Sequence, residues 1–176
     1  MIGRQGGEFV VVERRRLELV EENWAKQPYH AAEGIEPKEA RALVKRGIEA
    51  ARRIARREFR AAVKREKDRG NETVACAVLV GNPMPDWSVD QILAVHFRMH
   101  QAEGVLFRDV LIEAAKDCDL KLVTLPEKTL AQEAEKLLRT PANELSKRVA
   151  AMGKSAGPPW GKDQKDATIA ALVAFI

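Results

Sequence analysis

Cysteine, histidine and tyrosine are scarce in this chain: two, three and one among 176 residues. Two cysteines cannot build a staple framework. Cys76 also lies in an apolar run where a reduced, buried thiol is the ordinary state, which points to a reducing compartment. Long hydrophobic runs are missing as well. Met1 to Gly7 has no apolar segment of the secretory type, and the closing stretch 167–176 is too short to span a bilayer. The expectation is a soluble cytoplasmic protein with no membrane partner. Neither sign of charge dominates: 30 basic residues face 26 acidic ones for a formal +4, which permits nucleic-acid contact without demanding it. Gly81-Asn82-Pro83 fits neither the Walker pattern nor the dinucleotide fingerprint. There is no Gly-x-Ser-x-Gly elbow and no evident Cys–His pair, so the familiar nucleotide-binding and nucleophilic-hydrolase classes are set aside.

What is present suffices for one core, since 45% of the residues are apolar and the length suits a single domain spanning 1–176. The run Phe9-Val10-Val11-Val12 predicts a strand, and Leu17 to Val20 an extension of it or a second one. Trp24 to Gly34 reads as a loop with room for one helical turn. Pro37 and the acids around it open a long helix, whose stripe Val44, Ile48, Ala51, Ala55, Phe59 and Val63 runs on to about Asp68 before Gly70-Asn71 stops it. Thr73 to Val80 is continuously apolar, as in a strand covered on both faces, and is the candidate central strand. After a turn at 81–87, Ser88 and Gln91 form a capping-box pattern for a helix reaching to about Cys118. Lys121 to Pro126 predicts a short strand, followed by helices at 127–138 and 141–152, a turn at 157–161 and a final helix at 162–175. Strands alternating with helices predict an α/β fold: a single layered domain with a small, largely parallel sheet flanked by helices.

The histidines carry the chemistry. His30-Ala-Ala-Glu33-Gly34 and His100-Gln-Ala-Glu103-Gly104 are nearly the same pentapeptide, and His96 stands one helical turn before the second copy. Stepping 100° per residue from Ser88 puts His96, His100 and Glu103 inside an apolar arc with Ile92, Val95, Met99, Leu106 and Val110, leaving Arg98, Gln101, Arg108 and Asp109 to solvent. Gly104 beside them would admit a close-lying backbone. Three readings stay open. The cluster is a hydrogen-bonded network. Or it is a metal site, in which His96 and His100 supply nitrogens at the i, i+4 spacing of helical zinc motifs and Glu103 or His30 the third ligand. Or it is a metal-free acid/base site, in which Glu103 orients His100. Folding of the Tyr29 to Glu33 segment over this face would join His30, Tyr29 and Glu33 to it.

Basic residues outnumber acidic ones between Lys38 and Arg69, with pairs at Arg52-Arg53 and Arg56-Arg57. Such a face can neutralise phosphates weakly and without sequence preference, serve as a homodimer surface, or be solvated through local ion pairs. Trp160, in Gly157-Pro158-Pro159-Trp160-Gly161, either walls a pocket or plugs the end of a core.

The motifs from His96 to Arg108 and from Gly157 to Lys165 resemble an uncharacterised bacterial family that brings no assigned activity. The order of elements from Ala94 to Ile176 is similar to the C-terminal half of RuvC-type Holliday-junction resolvases, of the ribonuclease H-like superfamily. That resemblance implies a ribonuclease H-like fold, with Asp163 and Asp166 as metal-binding acids. The sequence departs from it in having no Asp on the first strand and no acid between Val74 and Val80. The expected function is therefore a His/Glu pocket built from His30, His96, His100 and Glu103, with Tyr29, Glu33 and Asp163 beside it. It would bind a divalent metal such as zinc or do acid/base chemistry on a small molecule. The alternative is a non-enzymatic nucleic-acid or protein binder using the arginine-rich helix 38–69.

Overall fold

The computed structural model describes residues 1–176. It is a mixed α/β structure in which helices predominate, and it divides into two compact units. The first unit is drawn from Met1–Arg16, Val74–Val80 and Lys121–Ile176, and the second from Leu17–Thr73 and Gly81–Leu120.

In the first unit β1 (Ile2–Gln5) and β2 (Glu8–Val11) form an antiparallel hairpin with Gln5 opposite Glu8. Gly6 and Gly7 both have positive φ, +57° and +87°, as a two-residue turn matching the strand twist requires. The chain then continues without a strand through 17–20, and Leu19 packs instead on the core of the second unit. In that unit, after a 3-10 turn at Asn23–Lys26, come the short helix α1 (Pro28–Ala31) and the long helix α2 (Pro37–Asp68). The side chain of Glu36 caps α2 by accepting from the N–H groups of Lys38 and Glu39. At the other end buried Glu66 accepts from Arg69 and Asn71. That pairing locks the helix terminus, and the Asn71 and Arg69 bonds hold the Glu66 carboxyl below its ordinary pKa.

The apolar run after α2 forms β3 (Ala75–Val80). It pairs in parallel with β4 (Lys121–Pro126), Ala75 opposite Lys121 through Val80 opposite Pro126. The parallel sheet has only these two strands, so β3 has a strand neighbour on one side only and is not a central strand. Of its residues only Val78 is fully buried. Helices α5 (Leu130–Leu138), α6 (Ala142–Ala156) and α7 (Lys162–Ala174) complete the first unit. They bury Leu130, Ala134, Leu145, Val149, Leu172 and Val173 with Leu125 of β4.

The Gly-Pro-Pro-Trp-Gly turn is a structural device of this unit. The Arg14 guanidinium donates to the carbonyls of Gly157 (2.7 Å), Pro158 (2.9 Å) and Pro159. Trp160 packs directly against Gly153, where the indole leaves no room for a Cβ. It plugs the core between α6 and α7.

Between β3 and β4 the expected single helix is two. The capping box at Ser88 and Gln91 forms with both of its hydrogen bonds and opens α3 (Val89–Leu93), but the chain straightens at Val95 (φ −141°, ψ 112°) before α4 (His96–Lys116) begins. Arg98 braces the break rather than facing solvent: it donates to the Gln91 carbonyl at 2.9 Å and stacks over Trp87 at 4.5 Å. The core of the second unit lies between α1, α2 and α4, around Val44, Ala51, Ala55, Met99, Leu106 and Val110. Both cysteines are free thiols, and no helix is long and apolar enough to cross a membrane.

Candidate functional site

The site is assembled by α1 against α4, and a glycine seats α1. Gly47 lies buried in α2 opposite Pro28: a Cβ there would come within 2.9 Å of the Pro28 Cβ and 3.3 Å of the Trp24 ring. The absent side chain lets the 24–31 segment close down on α2. Trp24 is held by Arg46 stacked on its ring at 4.6 Å and by its own N–H donating to Glu22 at 2.6 Å. Pro28, preorganised for a first helical position, starts α1, and Pro28 and Tyr29 are buried. The next residue, His30, is thereby directed at α4.

There it meets Glu103, whose side chain is 8% exposed. The two are joined twice: the His30 backbone N–H donates to Oε1 at 3.1 Å, and the ring Nδ1 lies 2.8 Å from Oε2. An ionised carboxylate only accepts, so Nδ1 carries the proton. Nε2 is buried and without a hydrogen-bond partner in the chain. The Tyr29 hydroxyl is pushed above its ordinary pKa, first by burial and then by the charge on Glu103.

Two further imidazoles complete the cluster. The ring centres are 4.4 Å apart for His30 and His100, 5.0 Å for His30 and His96, and 4.9 Å for His96 and His100. One potential ligand nitrogen from each of the three lies within 4.8 Å of those of the other two. His96 and His100 are exposed, and the Glu33 carboxylate stands 3.7 Å from Nδ1 of His96. No protein-family model, curated protein or solved structure matches the chain.

The two pentapeptides meet, His30 against His100 and His30 against Glu103. On α4 the burial differs from the helical-wheel expectation: Glu103 is buried, but His96 and His100 are not. His96 and His100 share the arc of Met99 and Glu103 but sit in the first two turns of α4, where the packing leaves them open. Glu103 spends both oxygens on His30 and stands behind the imidazole cluster rather than in it. Gly104 is exposed, and nothing lies within 4 Å of where its Cβ would be, so no backbone approaches there. Asp163 belongs to the first unit, exposed in the first turn of α7, and its neighbour Asp166 is ion-paired with Lys162 at 2.6 Å. Sequence reasoning passed over Gly47, although a glycine inside an otherwise strong helical stripe is itself a signal of close approach.

The arginines of α2 take part by holding α4. Arg52 bonds Glu113 of α4 at 2.9 Å and Arg56 pairs with Asp117, the residue that ends α4, at 2.6 Å, while Arg41 reaches Asp90 of α3 at 2.9 Å. Arg57 pairs with Glu58 and Glu21, and only Arg53 of the four paired arginines 52, 53, 56 and 57 has no acidic partner. Partly exposed pairs of this kind each contribute about 0.2–1 kcal/mol. Together they fix the register of α2 against the helix carrying His96, His100 and Glu103.

A buried carboxylate fixing one imidazole, with two more imidazoles open to solvent, offers three ring nitrogens on one side and access from water on the other. Such a set can coordinate a borderline-soft divalent cation or relay protons.

Proposed function

We propose that the second unit binds a divalent transition metal, zinc by preference, through His30, His96 and His100, with Glu103 as the carboxylate that orients His30. The observation that carries this is the unpartnered, buried Nε2 of His30 beside two further imidazoles. Leaving such an atom unsatisfied costs about 1–3 kcal/mol, and metal-ligating histidines characteristically give their other ring N–H to a carboxylate. The ring spacing agrees: with Zn–N near 2.0–2.1 Å, three tetrahedrally disposed imidazoles have centres about 5 Å apart, against 4.4 to 5.0 Å here.

Three histidines leave a coordination position open to substrate or water, as in catalytic rather than structural zinc sites. Bound zinc would supply Lewis-acid polarisation and a water that ionises near neutral pH. Around it His30 is held by Glu103 in a single tautomer. Glu33, at 3.7 Å from His96, is the one carboxylate at the solvent side able to accept a proton from a molecule entering there. The reaction class that fits is hydrolysis of a small, water-accessible substrate. The likeness to ribonuclease H-type nucleases does not enter this reading, because Asp166 is neutralised by Lys162 and Asp163 belongs to the other unit. Nor does nucleic-acid binding by α2, whose arginines mostly face acids of the chain.

The test is metal content by plasma mass spectrometry and titration of the metal-free protein with zinc and cobalt. We expect one equivalent per chain, a visible cobalt spectrum of four-coordinate intensity, and loss of both in His96→Ala with His100→Ala. Uptake should weaken as the pH is lowered, because protons compete for the imidazoles. Failure of the folded, metal-free protein to take up either ion at micromolar concentration would end the proposal.

A further inference from the structure

The first unit contains a cavity of about 230 Å³ lying between the hairpin, α6 and the ends of α5 and α7. Its walls are apolar, from Phe9, Leu145, Leu172 and Phe175, but two guanidiniums line it as well, Arg4 of β1 and Arg148 of α6. Both stack on the Phe9 ring, at 5.0 and 5.3 Å from its centre, and Phe175 tilts against the same ring at 5.1 Å. Neither arginine forms an ion pair or hydrogen bond within the chain, in contrast to most arginines of α2. A guanidinium stacked on an aromatic face keeps its N–H groups in its own plane, where they remain available to an anion. Stacking also fixes the long side chains in advance, so little rotamer entropy is left to lose when an anion binds.

From this juxtaposition we propose that the cavity is a binding site for a small amphiphilic anion: a carboxylate received by Arg4 and Arg148, with an apolar tail among Leu145, Leu172 and Phe175. Size sets the class. An apolar cavity of about 150 Å³ accepts benzene, so 230 Å³ holds a tail of about six to eight carbons. Two guanidiniums exceed what a neutral ligand needs, and bidentate recognition by arginine suits a carboxylate or a phosphate ester. The site is independent of the histidine cluster and holds whether or not that cluster takes up metal.

The experiment is calorimetric titration of the full chain with octanoate, octyl phosphate and octanol. Saturable octanoate binding at one site is expected, weakened at least tenfold in Arg4→Gln with Arg148→Gln, and octanol should bind at least tenfold more weakly than octanoate. Octyl phosphate binding as tightly as octanoate would keep the anion site and broaden its class to both headgroups. Thr140→Phe, which fills the cavity from its half-buried rim while leaving both arginines, should abolish binding, with circular dichroism confirming that each variant is folded. Octanol binding as tightly as octanoate, octanoate affinity unchanged in the double arginine variant, or no saturable octanoate binding below millimolar concentration would each overturn the proposal.

Discussion

At the scale of single residues, the chemistry depends on Glu103 being both buried and spent. Each of its oxygens accepts from a different group of His30. Gln at this position keeps the shape but replaces one acceptor with a donor, so Nδ1 either loses its partner or accepts from the amide and shifts its proton to Nε2. The expected result for Glu103→Gln is a folded protein whose zinc affinity falls about 10- to 100-fold, the usual cost of losing the group behind a ligating histidine. Competition with a chromogenic chelator measures it. Unchanged affinity would mean that Glu103 merely fastens α1 to α4. Glu66 gives a contrasting case, a buried carboxylate with no role in the cluster. Its pKa is depressed in the folded protein, chiefly by Asn71 and then by Arg69. Its stabilisation is therefore complete above the ordinary carboxylate range and lost as the pH falls through the folded value. Thermal melts of wild type and Glu66→Gln should differ most at neutral pH and converge in acid; a gap that widens in acid would reverse the assignment.

At the scale of elements, two glycines that look alike in sequence, each inside a helix, have opposite meanings. Gly47 has Pro28 and Trp24 where a side chain would go, whereas Gly104 faces open space. Gly104→Ala should therefore stabilise the chain by about 0.5–1 kcal/mol through helix propensity alone. Gly47→Ala gains the same propensity but must displace Pro28, overpacking that typically costs about 1–3 kcal/mol, and it should weaken zinc uptake because α1 carries His30. Chemical denaturation of both variants, with zinc titration of the second, checks the pair. The same contrast marks how far sequence could go. Helix α2 was legible end to end because its stripe, its opening proline and its closing glycine agree, and β4 because proline closes it. The hairpin strand β1 was missed: Ile2-Gly3-Arg4-Gln5 has no apolar alternation, although Gly6-Gly7 before Glu8 is a turn signal. The break at Val95 was illegible because apolar residues continue across it at helical spacing. The exposure of His96 and His100 was illegible too, because both share the arc of buried Met99 and Glu103 at the start of α4.

At the scale of the whole molecule, the chain alternates between its units, contributing three segments to the first and two to the second. Both pentapeptides, and every residue proposed to bind or orient the metal, lie in the second. The juxtaposition of His30 with His100 was foreshadowed by their repeated context but not determined by it, since about 70 positions separate them and packing on Gly47 together with the bonds to Glu103 brings them together. A bound metal would join α1 to α4 directly, and these two elements are otherwise held by the bonds of His30 to Glu103 and by apolar packing. Binding to the native state alone stabilises by about 2.7 kcal/mol at a hundredfold excess over Kd. The added protection should concentrate where the ligands reside. Hydrogen exchange followed by mass spectrometry should show zinc slowing peptides that cover 28–33 and 96–104, with β3, β4 and α7 exchanging as in the metal-free protein. In His96→Ala with His100→Ala the zinc effect should vanish from all of them. Protection appearing first in α7, around Asp163 and Asp166, would move the metal to the other unit and revive the two-aspartate reading in place of the histidine cluster.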